Sequence, residues 1–221
     1  MAKHPDLNPE RVGSFWRWFK EHASVLEEMI DTSAVRRLSQ CMDEALFALT
    51  EALGWEFGPG TEKDYQLSFT LKGDLQNLAF AEAVVCRAPT IDRWEFHAGR
   101  PPKKWDLRFY MYNKRKQQVL IDAAHWQYTL LGFSDNSLFD ITILAPGLPS
   151  MDLAGKTQAA TILLQGILGE VAFLRHIDRV EVVTQSTKMD EERLSSITNL
   201  AEHLNHLAGS AAIRKPTPDP H

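Results

Sequence analysis

The spacing of apolar residues divides the chain into a helical beginning, a strand-rich middle and a helical end. Apolar positions three or four residues apart fill one face of a helix. Together with their flanking caps they predict helices over residues 34–53, 75–87, 153–170 and 190–207. Gly169-Glu170 is placed to end or kink the third of these helices, and Thr187 with Asp190 opens the fourth. Upstream, Ser14 is placed to cap a short helix over 15–22, and Ser24 with Glu27 forms a capping box for another.

Alternation of apolar and polar residues marks the middle of the chain. It is clearest over residues 65–72, which we predict to be a strand with one buried face. Shorter runs predict further strands at 55–57, 94–98, 106–112, 118–122, 126–131, 138–144 and 178–183. The run 106–112 places Leu107, Phe109 and Met111 on one face and Arg108, Tyr110 and Tyr112 on the other, and a charged turn at 113–116 follows it. The runs 126–131 and 138–144 flank a Ser-Asp-Asn turn at 134–136, so we expect a hairpin and antiparallel pairing.

These elements predict an α+β fold. We expect a helical N-terminus, a mostly antiparallel sheet of about six strands with helices packed on one side, and a C-terminal helix. The length of 221 residues, with 44% hydrophobic and 24% charged residues, is typical of a globular domain and excludes a disordered chain. Proline-containing ends predict a flexible N-terminus at 1–13 and a disordered tail at 212–221, around a single domain over 14–211.

Charge and cysteine content narrow the class of protein further. The net charge of -5 argues against a general nucleic-acid coat, which would be strongly basic. Cys41 and Cys86 lie in apolar helical surroundings, so we expect buried free thiols rather than a disulfide. No apolar run approaches the ~20 residues of a membrane span. We therefore expect a cytoplasmic protein without a membrane segment.

The sequence carries no strong catalytic, cofactor or metal motif. Gly155-Lys156-Thr157 resembles the end of a phosphate-binding loop, but Ser150 stands where that loop needs glycine. HExxH, CxxC and Gly-x-Ser-x-Gly patterns do not occur in the sequence. We therefore predict no metal and no cofactor, and the sequence leaves open whether the protein is an enzyme.

One catalytic alternative remains open. Strands 94–98 and 118–122 are candidates for neighbours in one sheet, and they carry or adjoin histidines and carboxylates. A hydrolase or a metal-dependent enzyme would use His97, His125, Asp122 and Glu95 for proton transfer or metal binding. The contrary interpretation is that these histidines are ordinary strand residues.

Basic and aromatic residues gather over residues 93–116 and suggest a binding surface. Trp, Tyr and Arg are enriched where proteins bind one another. The candidate binding surface comprises Trp94, His97, Arg100, Trp105, Arg108, Tyr110 and Tyr112. We therefore expect a non-catalytic binding or regulatory protein with a protein partner. A solvated sheet face and a homodimer formed through the long helices are the alternatives.

Three segments resemble landmarks of a family of uncharacterised bacterial proteins. They are Phe15-Trp16-Arg17-Trp18-Phe19, Ala88-Pro89 followed by Trp94 to Pro101, and Leu168-Gly169-Glu170 followed by Ile177. They are similar to the FWxWF, AP…WxFxAxRP and LGE…I patterns of that family, and they occur in the same order. The resemblance implies a cytoplasmic bacterial α+β protein without an established activity. Some relatives resemble immunity-type proteins encoded near toxins.

Overall fold

A computed structural model describes residues 7–113, 115–133, 137–148, 151–185 and 194–213. The helices are α1 (Pro9–Asp31), α2 (Val35–Leu49), α3 (Leu78–Val85), α4 (Leu153–Leu168), α5 (Glu170–His176) and α6 (Leu200–Ile213). The strands are β1 (Gly54–Pro59), β2 (Tyr65–Thr70), β3 (Trp94–Ala98), β4 (Arg108–Tyr112), β5 (Gln118–Asp122), β6 (Gln127–Gly132), β7 (Phe139–Leu144), β8 (Ile177–Val183) and β9 (Ser195–Ser196).

The α+β class is confirmed, and the strands form three small sheets rather than one. The chain divides into two compact units, residues 1–101 and residues 102–221, which we describe separately. That residues 14–211 form a single domain stays a prediction.

Helix α1 opens the first unit and is longer than predicted. Asn8 caps it, because its side-chain oxygen accepts the N–H groups of Glu10 and Arg11, and Pro9 fits the first turn. Ser14 and Ser24 lie inside the helix, so the prediction of two short helices capped by them is wrong. The apolar stripe of α1 instead runs without a break through Val12, Phe15, Trp16, Phe19, Ala23, Leu26 and Met29.

The first sheet has the strand order β1-β2-β3, with β1 antiparallel and β3 parallel to β2. Because β2 is the central strand, it is buried on both faces, and even Gln66, Ser68 and Thr70 are shielded from solvent. The prediction that this strand is half-exposed is therefore wrong. Trp94 and Phe96 share one face of β3 and pack on the aromatic residues of α1.

The second unit contains the antiparallel pair β4–β5 and a separate sheet of order β8-β7-β6-β9. The predicted antiparallel pairing of β6 with β7 is confirmed, and its turn at 134–136 lies outside the described residues. Strand β8 runs parallel to β7, so a mostly antiparallel single sheet does not describe this fold. The inner faces of these strands and one face of α4 form an apolar core that includes Trp126, Tyr128, Phe139, Ile141, Leu163 and Leu164.

Gly169 separates α4 from α5, as predicted. Its φ of +78° suits a residue without a Cβ, and the helix axes differ by 111° across it. No single helix in the described residues is long and apolar enough to cross a membrane; only α4 and α5 together meet that test, across this bend. The last helix begins at Leu200, later than predicted, and its predicted caps Thr187 and Asp190 lie outside the described residues.

Candidate binding surface

The hairpin β4–β5 presents the candidate surface of the second unit. Its turn is held by Asn113, whose side-chain Oδ1 accepts the N–H groups of Arg115 at 2.9 Å and Gln117 at 3.0 Å. Lys116 adopts a φ of +58° and donates its N–H to the Asn113 carbonyl. The charged turn predicted here is thus formed by side-chain hydrogen bonds that replace a glycine-dependent turn.

The predicted two faces of β4 are confirmed. Phe109 and Met111 point toward the core of the second unit, whereas Tyr110 and Tyr112 are 62% and 72% exposed. Leu120 of β5 is paired with Tyr110 in the strand register and is 49% exposed. The outward side of the hairpin therefore carries Arg108, Tyr110, Tyr112 and Leu120, and we call it the tyrosine face.

Ionic contacts set the charge of the tyrosine face. Arg108 donates from Nε to Asp122 across the hairpin at 2.9 Å. The N–H of Ala124 and this arginine hold the pKa of Asp122 below its usual value. The base of the hairpin is thus a matched ion pair. Arg115 and Lys116 are exposed at the turn, which makes that end basic.

A cavity of about 730 Å³ adjoins the turn end of the tyrosine face. Tyr112, Asn113 and Arg115 form one wall, and Met151 and Asp152 at the start of α4 belong to the other. Asp152 caps α4 by accepting the Gly155 N–H, so its carboxylate is already hydrogen-bonded to the helix backbone. The tyrosine face therefore borders open, mostly polar space.

Trp94 does not belong to an accessible surface, which corrects its place in the candidate set. It is 1% exposed and lies 5.0–5.2 Å, ring to ring, from Phe19, Phe57 and Tyr65. Its indole N–H donates to Glu27 at 2.8 Å. Trp94 is part of the core of the first unit, because its side chain lies on the inner face of β3, whereas those of Glu95 and His97 lie on the opposite face.

Glu95 holds the turn between β1 and β2. Its carboxylate accepts the N–H groups of Thr61 at 2.7 Å, Glu62 at 2.9 Å and Lys63 at 3.3 Å, and it contacts His97 at 3.0 Å. Burial raises the pKa of Glu95, but these donors outweigh burial and lower the pKa to about 2.

His97 and Arg100 are also committed to partners within the first unit. His97 is bonded to Glu95, and Arg100 forms a 2.7 Å ion pair with Glu56. Both side chains keep about a third of their surface exposed. Their ion pairs stabilise the sheet, and only the exposed third of each side chain is accessible to a ligand.

Trp105 is half-buried in the second unit and packs 5.7 Å from Phe109. Its indole ring lies directly against Gly166 of α4, where a Cβ would clash with it. Gly166 therefore allows the close approach of a tryptophan to a helix, and Trp105 serves packing more than binding.

Three residues of the catalytic alternative, Glu95, His97 and Asp122, have structural partners. Glu95 and His97 lie in the first unit, and Asp122 and His125 lie in the second. The pKa values of both carboxylates are lowered, so neither is suited to act as a general acid at neutral pH. Among the described residues, no three His, Cys, Asp or Glu side chains are grouped to hold a metal ion.

A second cavity, of about 700 Å³ and not predicted from the sequence, lies between α1 and α2 of the first unit. Phe15, Trp18 and His22 line it from α1, and Cys41 and Glu44 line it from α2. Cys41 is half-buried and Cys86 is exposed, so both thiols are free but neither is buried as predicted. The signal for this cavity was the helical spacing of Phe15, Trp18 and His22, which places them along one side of α1.

Comparison with known proteins adds no assignment to this geometry. No protein-family model, no curated protein and no solved structure matches the chain. The resemblance to a bacterial family, carried by the three landmarks in residues 15–183, stays a prediction. The case for a function therefore rests on the tyrosine face.

Proposed function

We propose that this protein is a non-catalytic binding or regulatory protein, and that it contacts a protein partner through the tyrosine face. The observation that carries this proposal is the exposure of Tyr110, Tyr112 and Leu120 together on one side of a hairpin. Large apolar side chains grouped on a surface are a common mark of an interaction site.

The chemistry of these side chains supports the proposal. Tyrosine gives a large contact area for few rotatable bonds and adds a hydroxyl that forms hydrogen bonds at the edge of an interface. Leu120 lies opposite Tyr110 and extends the apolar area across the hairpin. The Arg108–Asp122 ion pair at the base of the hairpin supplies a polar rim beside this area.

The turn of the hairpin makes one end of the surface basic. Residues 106–122 carry four basic residues and two aspartates, although the whole chain has a net charge of -5. A local basic surface on an acidic protein speeds association with acidic partners more than with basic ones. We propose a bacterial, cytoplasmic protein for this role, which agrees with two free cysteines.

The test is a site-specific photocrosslink in cells that express the protein natively. A benzoylphenylalanine introduced in place of Tyr110 or Tyr112 is expected to crosslink to one protein, and the mass of that protein should be the same for both positions. The matched control carries the probe in place of Leu131, which is equally exposed in the same unit but lies on β6.

The partner captured in this way is then measured against purified full-length protein. The double substitution Tyr110→Thr with Tyr112→Thr keeps strand propensity and is expected to weaken binding by about 10- to 100-fold, as for residues at the centre of an interface. The proposal is wrong if positions 110 and 112 capture nothing, or if position 131 captures the same protein equally well.

A further inference from the structure

The outer edge of β4 carries a row of backbone groups without a strand partner. The Asn113 N–H donates to the Gln117 carbonyl, and the Ala123 N–H donates to the Leu107 carbonyl. In an antiparallel pair such hydrogen-bonded positions alternate with positions whose backbone groups point away from the partner strand. The strand register therefore directs the N–H and C=O groups of Tyr110 and Tyr112 outward.

This edge remains unpaired throughout the described residues. Strand β5 is the only neighbour of β4 there, and the two form a sheet of their own. The outward N–H of Arg108 is satisfied by Asp106 at 3.2 Å, which leaves the tyrosine positions as the open stretch. Exposed edges in proteins are usually protected by proline, charged side chains or a bulge; Arg108 is the only charged residue within Arg108–Tyr112, and its side chain is paired with Asp122.

From these observations, and resting on the proposed function, we infer that the partner contributes an extended acidic segment that adds as a strand to the outer edge of β4. Backbone hydrogen bonds to Tyr110 and Tyr112 would supply affinity, and the tyrosine side chains would contact alternate residues of the added strand. The tyrosine face and the open edge thus act together in one recognition mode.

Charge favours an acidic occupant. Exposed Arg115 and Lys116 stand at the turn end of β4 and attract carboxylates. Each edge has one aspartate at the base of the hairpin, Asp106 beside β4 and Asp122 on β5, so the two tyrosines of β4, rather than charge, distinguish its edge. A second copy of this chain is the less favourable occupant, because two hairpins with an excess of basic residues repel one another.

The probe is a fluorescent peptide of about eight alternating Glu and Val residues, a typical strand length. It is titrated into the full-length protein and followed by fluorescence anisotropy. We expect saturable binding, and about tenfold weaker binding of a peptide with Lys in place of Glu. Methylation of all central backbone nitrogens of the peptide is expected to weaken binding by about tenfold, because the methylated peptide cannot donate to the edge.

Proline substitutions locate the edge on the protein. The N–H of Tyr110 points away from β5, so Tyr110→Pro leaves the hairpin ladder intact. It is expected to bind the peptide about tenfold more weakly than Tyr110→Thr, which lacks the same side chain but keeps the N–H. The matched control is Leu120→Pro against Leu120→Thr, because Leu120 holds the equivalent position on the opposite edge and should show no such difference.

Strand addition is wrong if the methylated peptide binds as tightly as the parent peptide. It is equally wrong if the loss appears with Leu120→Pro instead of Tyr110→Pro, if the protein binds no acidic peptide, or if light scattering shows a dimer that Tyr110→Pro dissolves. The proposed function survives these outcomes when the photocrosslinks at positions 110 and 112 persist. The peptide methylation keeps the test decisive even if a proline variant fails to fold, since it uses the unaltered protein.

Discussion

Each unit has a buried aromatic core, but only the second presents tyrosines to solvent, from a hairpin. In the first unit Phe15, Trp16, Phe19 and Trp94 are almost completely buried, and the rings of successive members lie 5.0–6.0 Å apart, centroid to centroid. In the second unit Tyr110 and Tyr112 project into solvent from a hairpin. Tyr128 is buried in the same unit, so position in the sheet decides the exposure of Tyr110 and Tyr112, and the hydroxyl makes that exposure less costly.

This difference shows why one stretch of sequence cannot be treated as one surface. Residues 93–116 look uniform, with basic and aromatic residues interleaved throughout. The structure assigns Trp94 to the core of the first unit and Tyr110 to an exposed face of the second. A binding role suits only the second group, and stability measurements can separate the two.

The largest expected effect is that of Trp94→Ala. Removing a buried indole leaves a cavity among Phe19, Phe57 and Tyr65, so the free energy of unfolding should fall by about 3–5 kcal/mol. Urea unfolding followed by circular dichroism measures this change. The control Trp94→Phe keeps most of the ring packing but loses the hydrogen bond to Glu27, and we expect a cost of about 1–2 kcal/mol. A loss below about 1 kcal/mol for Trp94→Ala would show that this residue is not part of a tightly packed core.

A smaller effect is expected for Glu95→Gln. The neutral amide cannot replace a carboxylate that accepts three backbone N–H groups, so unfolding at pH 7 should become easier by about 1–3 kcal/mol. Glu62→Gln is the matched control, because the side chain of Glu62 is exposed and only its backbone N–H contacts Glu95. Equal losses in the two variants would contradict the role of the Glu95 carboxylate.

The same residue predicts a dependence of stability on pH. The pKa of Glu95 is lowered from 4.5 to about 2 on folding, so the folded state holds its proton less tightly than the unfolded state. The stabilisation is fully present above pH 4.5 and is lost as the pH falls toward 2. The difference in unfolding free energy between the natural protein and Glu95→Gln should therefore shrink over this range. A difference that stays constant from pH 6 to about pH 2 would contradict the lowered pKa.

The smallest expected effect belongs to the tyrosine face. Tyr110→Thr and Tyr112→Thr should each change the free energy of unfolding by no more than about 0.5 kcal/mol, because exposed side chains away from the core contribute little. The same urea titration measures both variants. A loss near that of Trp94→Ala would mean that the tyrosines serve the core and would remove the contrast between the units.

Much of the local structure followed from the sequence. The alternation in β4 placed Tyr110 and Tyr112 outward and Met111 inward, as the structure has them. Gly169 was correctly placed at the break between α4 and α5. Such features depend on neighbouring residues alone, through side-chain period and backbone conformation.

Features that depend on distant partners were not predicted. The polar residues of β2 are buried because β1 and β3 flank it, and no pattern within residues 65–72 distinguishes a central strand from an edge strand. Glu95 was considered as a catalytic group, yet it binds backbone N–H groups of Thr61 and Glu62, more than thirty residues earlier. The exposure of Leu120 beside Tyr110 likewise required the strand register.

The sequence by itself determined the α+β class, most of the strands and the two sides of the hairpin, because these follow from the period of apolar residues over a few positions. Only the tertiary structure decided which aromatic residues are buried and which strand edges stay open. Burial and strand pairing are properties of segments brought together from far apart in the chain. For that reason the tyrosine face and the open edge of β4, rather than the whole basic and aromatic segment, define where a partner is expected to bind.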